Sequence, residues 1–416
     1  MKSKRIIYII VAAIAVLVIG YILMKPKLAQ KNYNQGLALL DSADYQGAYD
    51  KFDKAIKLNP KIADFYFKRG LSLAGMNKDS LAFVDYTKAI GIDSLRYDYF
   101  LYRGTSSRRV NHYDLALTDL NKAIALNDSS SKAYFERGLL NAATMNYDAA
   151  ISDYNKSIQL DGSNLEAFYS RGQSLANVSD FRGAIADYDK MIEGSNATAE
   201  AYKKRGIFKL KIQDYEGAKA DLVVANEKDP KDKEILYNLG DAYSNLKEFD
   251  KAIQFLDKAL AIDSRYDIAL GVKGGVLLRK GDYKSAIASF DKAISIKPDY
   301  LKAIYGRGIA KAFSSDYKGS IVDFTKVISL DKNYSQAYYN RAVSKAILGN
   351  HKEALPDFDV AVNADLRNAE AYYNRGISRM NTQDSKGACE DFNKSLELGF
   401  KPAEQMVNMY CPKSKK

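Results

Sequence analysis

The sequence has little of the chemistry that enzymes use. It contains only two histidines and two cysteines in 416 residues, and neither forms a cluster with the spacing of a zinc site. The metalloprotease motif HExxH, the phosphate-binding motif GxxxxGK and the nucleophile motif GxSxG are also missing. These absences predict a protein that is not an enzyme and that uses no metal, no cofactor and no small-molecule substrate.

Proline and localised positive charge are also scarce. Only seven prolines occur and no long polar tract is present, so we expect ordered structure nearly throughout. The formal net charge is +11, but much of it lies at the two ends of the chain. The small excess between them is too dilute for a phosphate-binding stripe, which argues against nucleic acid as a partner.

One long apolar run stands near the amino terminus, after a short tail at 1–5. Residues 6–24 carry no charge and would span about 28 Å as a helix, the thickness of a bilayer's hydrocarbon core. A cleaved signal peptide is the competing interpretation. The run lacks an Ala-x-Ala exit and a nearby lipid-attachment cysteine, so the sequence favours an uncleaved, single-pass transmembrane anchor.

The orientation of this anchor is less well defined, because basic residues flank it on both sides and nearly balance the positive-inside rule. A short amino-terminal tail is most simply left in the cytoplasm. We therefore expect an inner-membrane protein whose remaining chain is periplasmic, with a cytoplasm-facing chain as the alternative.

The rest of the sequence repeats every 34 residues. A small residue recurs eleven times without an insertion, at Gly36, Gly70, Gly104, Gly138, Gly172, Gly206, Gly240, Gly274, Gly308, Ala342 and Gly376. A second small residue follows each one by twelve positions, and a large apolar residue stands four positions further on. The later spacing predicts an amphipathic helix, and the paired small residues indicate two helices in close contact.

In period and in these positions, residues 29–402 resemble the tetratricopeptide repeat family. The resemblance implies an all-α fold: an α-solenoid of eleven helix-turn-helix units in a right-handed superhelix, here preceded by one transmembrane helix. A capping helix and a basic tail are expected at 403–416. The implied function is a protein–protein interaction scaffold or adaptor, whose concave groove holds a peptide segment, a helix or part of a larger complex.

The family resemblance also places the fifth residue of each unit in that groove. This residue is aromatic in eight units: Tyr33, Phe67, Phe135, Tyr169, Tyr237, Tyr305, Tyr339 and Tyr373. The rings could hold a partner, or they could mainly fill space between successive first helices. Lys203 matches a lysine with which some family members grip acidic peptide ends. Ile207 replaces the asparagine of that clamp, so such a clamp is not expected.

One departure from the family pattern is an arginine before the glycine in eight units, always with an aspartate sixteen residues later. The three units without this arginine also lack the aspartate, so we expect bidentate ion pairs within a unit or between adjacent units. The pairs are Arg69 with Asp85, Arg103 with Asp119, Arg137 with Asp153, Arg171 with Asp187, Arg205 with Asp221, Arg307 with Asp323, Arg341 with Asp357 and Arg375 with Asp391.

The two cysteines lie in the last unit's second helix and in the capping helix. Neighbouring antiparallel helices would bring Cys389 and Cys411 to about the same level. A disulfide and a pair of buried free thiols are both compatible with this placement. A disulfide would favour an oxidising compartment such as the periplasm. Together these features predict a membrane-tethered scaffold that recruits or organises cell-envelope proteins for secretion, motility or assembly; the alternative is a cytoplasm-facing adaptor or chaperone.

Overall fold

The protein is an array of paired α-helices. The computed structural model describes residues 2–193 and 197–411, and within these ranges the only regular elements are helices. The chain forms two compact bodies, Met1–Ala197 and Thr198–Lys416. Each body is a succession of 34-residue repeats, with repeats 1–5 in the first and repeats 6–11 in the second.

The first body contains ten helices among its described residues, which alternate between the first and second helix of a repeat. They are α1 (Lys2–Asp41), α2 (Tyr45–Leu58), α3 (Ala63–Gly75), α4 (Asp79–Ile92), α5 (Tyr97–Arg109), α6 (Tyr113–Leu126), α7 (Ser131–Ala143), α8 (Tyr147–Leu160), α9 (Leu165–Asn177) and α10 (Phe181–Ile192).

The second body continues the alternation over its described residues and ends with one short closing helix. Its helices are α11 (Ala199–Lys211), α12 (Tyr215–Lys228), α13 (Lys233–Asn245), α14 (Phe249–Ile262), α15 (Asp267–Lys280), α16 (Tyr283–Ile296), α17 (Leu301–Phe313), α18 (Tyr317–Leu330), α19 (Ser335–Ile347), α20 (His351–Ala364), α21 (Ala369–Asn381), α22 (Ser385–Glu397) and α23 (Pro402–Tyr410).

The turn inside a repeat is built from a left-handed residue followed by a helix cap. Ala43 (φ 59°) and Gly281 (φ 86°) are two of these left-handed residues, and they end a first helix in the usual way. In several repeats the next residue is an aspartate whose carboxylate accepts a backbone N–H three residues later. Asp44 accepts this bond from Gly47 at 2.9 Å, which starts the second helix.

The core of a repeat is a large side chain set against the small residue of its first helix. Tyr154 is fully buried, and a Cβ added to Gly138 would lie 2.6 Å from its ring. Phe290 is contacted from two sides, because a Cβ on either Gly274 or Gly306 would lie within 2.7 Å of it. The recurring glycines therefore hold the helices at a distance that fits an aromatic ring.

A single amino-terminal helix contains both the apolar run and the first helix of repeat 1. Helix α1 runs unbroken from Lys2 to Asp41, with Pro26 inside it. Proline removes a single intrahelical hydrogen bond, and here the helix continues on both sides. The stretch Arg5–Asp41 is long and apolar enough to cross a membrane, a property that it shares with signal sequences.

Replacing Tyr86 by phenylalanine should stabilise the protein. The Tyr86 side chain is fully buried, and its hydroxyl has no hydrogen-bond partner within the described part of the chain. Burial raises the pKa of this hydroxyl well above its usual range. An unpaired buried hydroxyl costs about 1–3 kcal/mol, so urea unfolding should show a gain of roughly 1 kcal/mol. A Phe52→Tyr variant at the same position of repeat 1 serves as the control and should lose stability.

Candidate partner-binding site

Each of the eight arginine–aspartate pairs joins the two helices of one repeat. In repeat 3, Arg103 donates from Nε and from Nη2 to the two carboxylate oxygens of Asp119, each at 2.7 Å. The other seven pairs have the same bidentate arrangement. The aspartates are 1–5% exposed. They are therefore structural groups, and they lie beneath the surface that a partner could reach.

Within the two bodies, seven of the arginines also donate to the preceding repeat, a contact that the sequence did not predict. Arg69 donates from Nη1 to Asp53 at 2.7 Å, and Arg137 donates to Asn121 at the same distance. Within the two bodies, the equivalent acceptors of the other arginines are Thr87, Asn155, Asp291, Thr325 and Asp359. Every one of these acceptors stands sixteen residues before its arginine, but its type varies among aspartate, asparagine and threonine.

Burial and nearby charge oppose each other within these pairs. Burial raises the pKa of the Asp187 carboxyl, and the hydrogen bonds and charge of Arg171 only partly offset it. Other aspartates have a second cation: Lys311 lies 2.9 Å from Asp323 and Lys345 lies 2.8 Å from Asp357. Burying each aspartate costs desolvation free energy, and the cations beside it offset that cost to different degrees in different repeats.

The aromatic residues at the fifth position pack mainly between helices. Phe67 and Phe135 are buried, with 3% and 9% exposure, so a partner could not rest on them directly. The six tyrosines are half-buried. Each of the eight rings has another ring with its centroid within about 6 Å. In seven of the eight, this neighbour is the large residue on the second helix of the same repeat, so these rings pack against the core of their own repeat.

Three of the tyrosine hydroxyls are nevertheless held in fixed directions. Asn340 donates to the Tyr305 hydroxyl at 2.9 Å, and Asn374 donates to the Tyr339 hydroxyl at 3.0 Å. Burial raises the pKa of Tyr305 to about 12, so it is neutral at ordinary pH. The Tyr33 hydroxyl donates to the carboxylate of Asp64 at the start of the next first helix. These contacts join successive first helices and fix the surface that they form.

Lys203 is neutralised by the protein's own acids. Its ammonium group lies 2.7 Å from Glu200, 2.9 Å from Asp232 and 3.1 Å from Glu234. Burial alone would lower the pKa of this lysine, but the three carboxylates outweigh burial and raise it. A cation with three partners has little capacity left for a peptide carboxylate. The same expectation follows from the sequence, because Ile207 replaces the asparagine that an acidic-peptide clamp needs.

Two cavities open between successive first helices, one in each body. The cavity in the first body has a volume of about 520 Å³ and is lined by polar groups such as Thr105, Ser106, Arg109 and Lys132. The cavity in the second body, of about 240 Å³, lies between α17 and α19. Its lining is mainly apolar and includes Ile309, Val343 and Ile347.

The apolar cavity has two exposed residues at its rim that the sequence analysis did not select. Phe313 is 64% exposed and Ile347 is 54% exposed. They occupy equivalent positions in repeats 9 and 10, where most other repeats have a small or polar residue, such as Gly75 or Asn381. Large apolar side chains exposed together in adjacent repeats are typical of an interaction site. Comparing repeats for their differences would have found them.

At the carboxyl end, Cys389 and Cys411 form a disulfide with their Cα atoms 5.4 Å apart. The bond joins α22 to the residue that follows α23. Ala403 of α23 is fully buried, and Phe400 before it packs against Tyr373 with ring centroids 5.1 Å apart. The short closing helix is therefore attached to the last repeat by packing and by a covalent bond. Over residues 2–193 and 197–411, no group of three or more His, Cys, Asp or Glu is arranged to hold a metal ion.

Paired helices at a fixed period, with a surface of first helices carrying cavities, define a helical-repeat protein of the kind that serves as an interaction scaffold. Models of the tetratricopeptide repeat match residues 33–90, 103–164, 234–266, 269–300 and 369–398. The chain belongs to the tetratricopeptide repeat family. Among curated protein sequences, none matches it.

Solved structures with a similar fold include three of different length. YrrB, described as a TPR protein with an unusual peptide-binding site, is 24% identical and covers 45% of this chain and 98% of its own, with a TM-score of 0.42. PilF of Pseudomonas aeruginosa is 20% identical over 53% of this chain and 98% of its own, with a TM-score of 0.46. Yeast Tom70 is 15% identical over 92% of this chain and 96% of its own, with a TM-score of 0.41. These are similarities of repeat fold.

Proposed function

We propose that the protein is an inner-membrane-tethered scaffold whose repeats recruit or organise cell-envelope proteins, for secretion, motility or assembly. The observation that carries this proposal is the continuity of α1, which includes the apolar run 6–24 and the first helix of repeat 1. A helix of this kind would hold an interaction array directly at a membrane. Ala29 stands four residues after Lys25, the first basic residue beyond the run, and is already in the core of repeat 1.

The surface proposed to bind the partner is formed by the first helices. In the second body, Phe313 and Ile347 flank an apolar cavity that has room for one or two side chains of a partner. Tyr305 and Tyr339 lie on the same two helices, with their hydroxyls fixed by asparagines. An apolar cavity with a few oriented polar groups favours a peptide segment or helix that inserts an apolar side chain.

A periplasmic location is favoured by the disulfide between Cys389 and Cys411. Disulfides persist in oxidising compartments and are rare in the bacterial cytosol. The nearly balanced basic residues around the apolar run do not argue against this orientation. A cytoplasm-facing adaptor is the alternative, and it would contain two reduced thiols in the cell.

A photo-crosslinking residue placed at Phe313 should capture a discrete partner in intact cells. Its matched control is the same residue at Val322, which lies on the second helix α18 of the same repeat and is 66% exposed, against 64% for Phe313. The measurement is the pattern of crosslinked bands. Adducts from position 313 but not 322, weakened by Ile347→Asp, are expected. Equal crosslinking from both positions would contradict binding at the face of the first helices.

A further inference from the structure

The end of the first body that lies beside the apolar run carries basic side chains in its connecting loops. Successive repeats are joined by loops at 59–62, 93–96, 127–130 and 161–164. The first two loops contain Lys61, Leu95 and Arg96, whereas the next two contain Asp128 and Asp161 and are otherwise small or polar. Among these four loops, basic residues thus occur only in the two nearest to α1. Loops of the second body also carry basic residues, at Lys231, Arg265, Lys297, Lys332 and Arg367. It is therefore the position of the first two loops beside α1 that distinguishes them.

The position of these loops along α1 follows from contacts at the start of α3 and α5. Ala29 is 1% exposed and shares one core cluster with Ala63, the first residue of α3. The Tyr33 hydroxyl donates to Asp64 in the same turn of α3. Phe67 of α3 in turn packs against Tyr99 near the start of α5, with ring centroids 4.8 Å apart. The three first helices therefore begin at about the same level, and the loops before α3 and α5 lie on the side of residues 25–28.

Residues 25–28 have the length of a lipid headgroup layer. If 6–24 occupies the hydrocarbon core, these four residues extend about 6 Å beyond it as a helix. The headgroup layer on each side of a bilayer is roughly 5–8 Å thick. Ala29 then lies at the outer edge of that layer, so the two loops beside it reach the headgroups.

The side chains at this end suit such a surface. Leu95 is 79% exposed, and the side chain of Arg96 is 49% exposed. Asp93 accepts the backbone N–H of Leu95 at 3.0 Å. Arg96 donates from Nε and Nη2 to Asp98 at 3.2 and 2.7 Å, which leaves its Nη1 group for a lipid phosphate. Lysine and arginine beside a membrane are attracted to anionic lipids.

We propose that the loops 59–62 and 93–96 rest on the membrane surface, with Lys61 and Arg96 at lipid phosphates and Leu95 among the headgroups. This rests on the proposed membrane anchor, and it adds that the first two repeats have a fixed orientation relative to the bilayer. Because α1 is continuous, the contact leaves repeats 1 and 2 no freedom to tumble about a flexible tether.

The test uses the full chain in nanodiscs of phosphatidylglycerol and phosphatidylcholine that contain a nitroxide-headgroup lipid. A fluorophore is attached to Leu95→Cys or, as the control, to Ser80→Cys at the far end of α4, about 18 Å from Ile92 by helix rise. The native cysteines are bonded to each other, and labelling of the unmodified chain checks that they do not react. Fluorescence should be lost at position 95 and retained at position 80.

The charges are tested by adding Lys61→Glu and Arg96→Glu to the chain labelled at position 95. Quenching should fall in anionic nanodiscs and change little in nanodiscs of phosphatidylcholine alone. A chain that co-elutes with nanodiscs but shows equal quenching at both positions, or none at 95, would overturn the surface contact and leave the anchor intact. A chain that does not co-elute would overturn the anchor itself.

Discussion

Replacing Asp323 by asparagine should lower the free energy of unfolding by about 3 kcal/mol or more, the usual cost of breaking a buried ion pair by removing one partner. Asp323 is 1% exposed and accepts two hydrogen bonds from Arg307, at 3.0 and 2.6 Å. It also lies 2.9 Å from Lys311. Without the carboxylate, a half-buried guanidinium and an ammonium group would face a neutral amide.

The control for this variant is the second carboxylate that Arg307 contacts. Asp291 lies 2.6 Å from Nη1 of Arg307, but its side chain is 53% exposed. Exposed ion pairs contribute roughly 0–1 kcal/mol, so Asp291→Asn should have a small effect. Urea unfolding followed by circular dichroism measures both. Equal losses for the two variants would show that burial does not determine the contribution of these pairs.

Removing the disulfide should destabilise the closing helix. The bond between Cys389 and Cys411 closes a loop with a sequence separation of 22, and a loop of this size is stabilised by about 3 kcal/mol in the chain-entropy model. The double variant Cys389→Ser, Cys411→Ser should therefore expose 402–410 to faster hydrogen exchange. Reductant should produce the same change in the unmodified protein and no change in the variant.

The same pair of cysteines reports the compartment. Protein prepared from cells without reductant and then unfolded should show no thiol that reacts with a maleimide. Two reactive thiols would count against the bridge in the cell and would favour the cytoplasm-facing alternative.

The sequence was most informative where one feature recurs in many repeats. The family and the all-helical fold followed from the 34-residue period, and both are confirmed by the family models that match the chain. The spacing also indicated that Arg103 and Asp119 belong together. It did not reveal the second acceptor, Thr87, because threonine, asparagine and aspartate alternate at that position and no single residue type marks it.

The burial of individual side chains and the continuity of α1 were harder to predict from the sequence. An aromatic residue at the fifth position of a repeat can have an exposed or a packed ring. The sequence does not distinguish these, and the structure shows that Phe67 is only 3% exposed. The sequence predicted separate bounds for the apolar run and for repeat 1, and the structure shows that one helix, α1, contains both. Phe313 and Ile347 were missed because they depart from the repeat pattern.

The hydrogen bonds that seven of the paired arginines donate to the preceding repeat give each body a polarity. A repeat supplies its own carboxylate to its own arginine, but the third hydrogen bond of that arginine comes from the repeat before it, as Arg137 shows with Asn121. Loss of a repeat at the amino end of a body would leave the next arginine with two of its three bonds. Loss at the carboxyl end would leave only a partly exposed acceptor unused. Under nearest-neighbour coupling, unfolding within a body would therefore spread more readily towards its carboxyl end than towards its amino end.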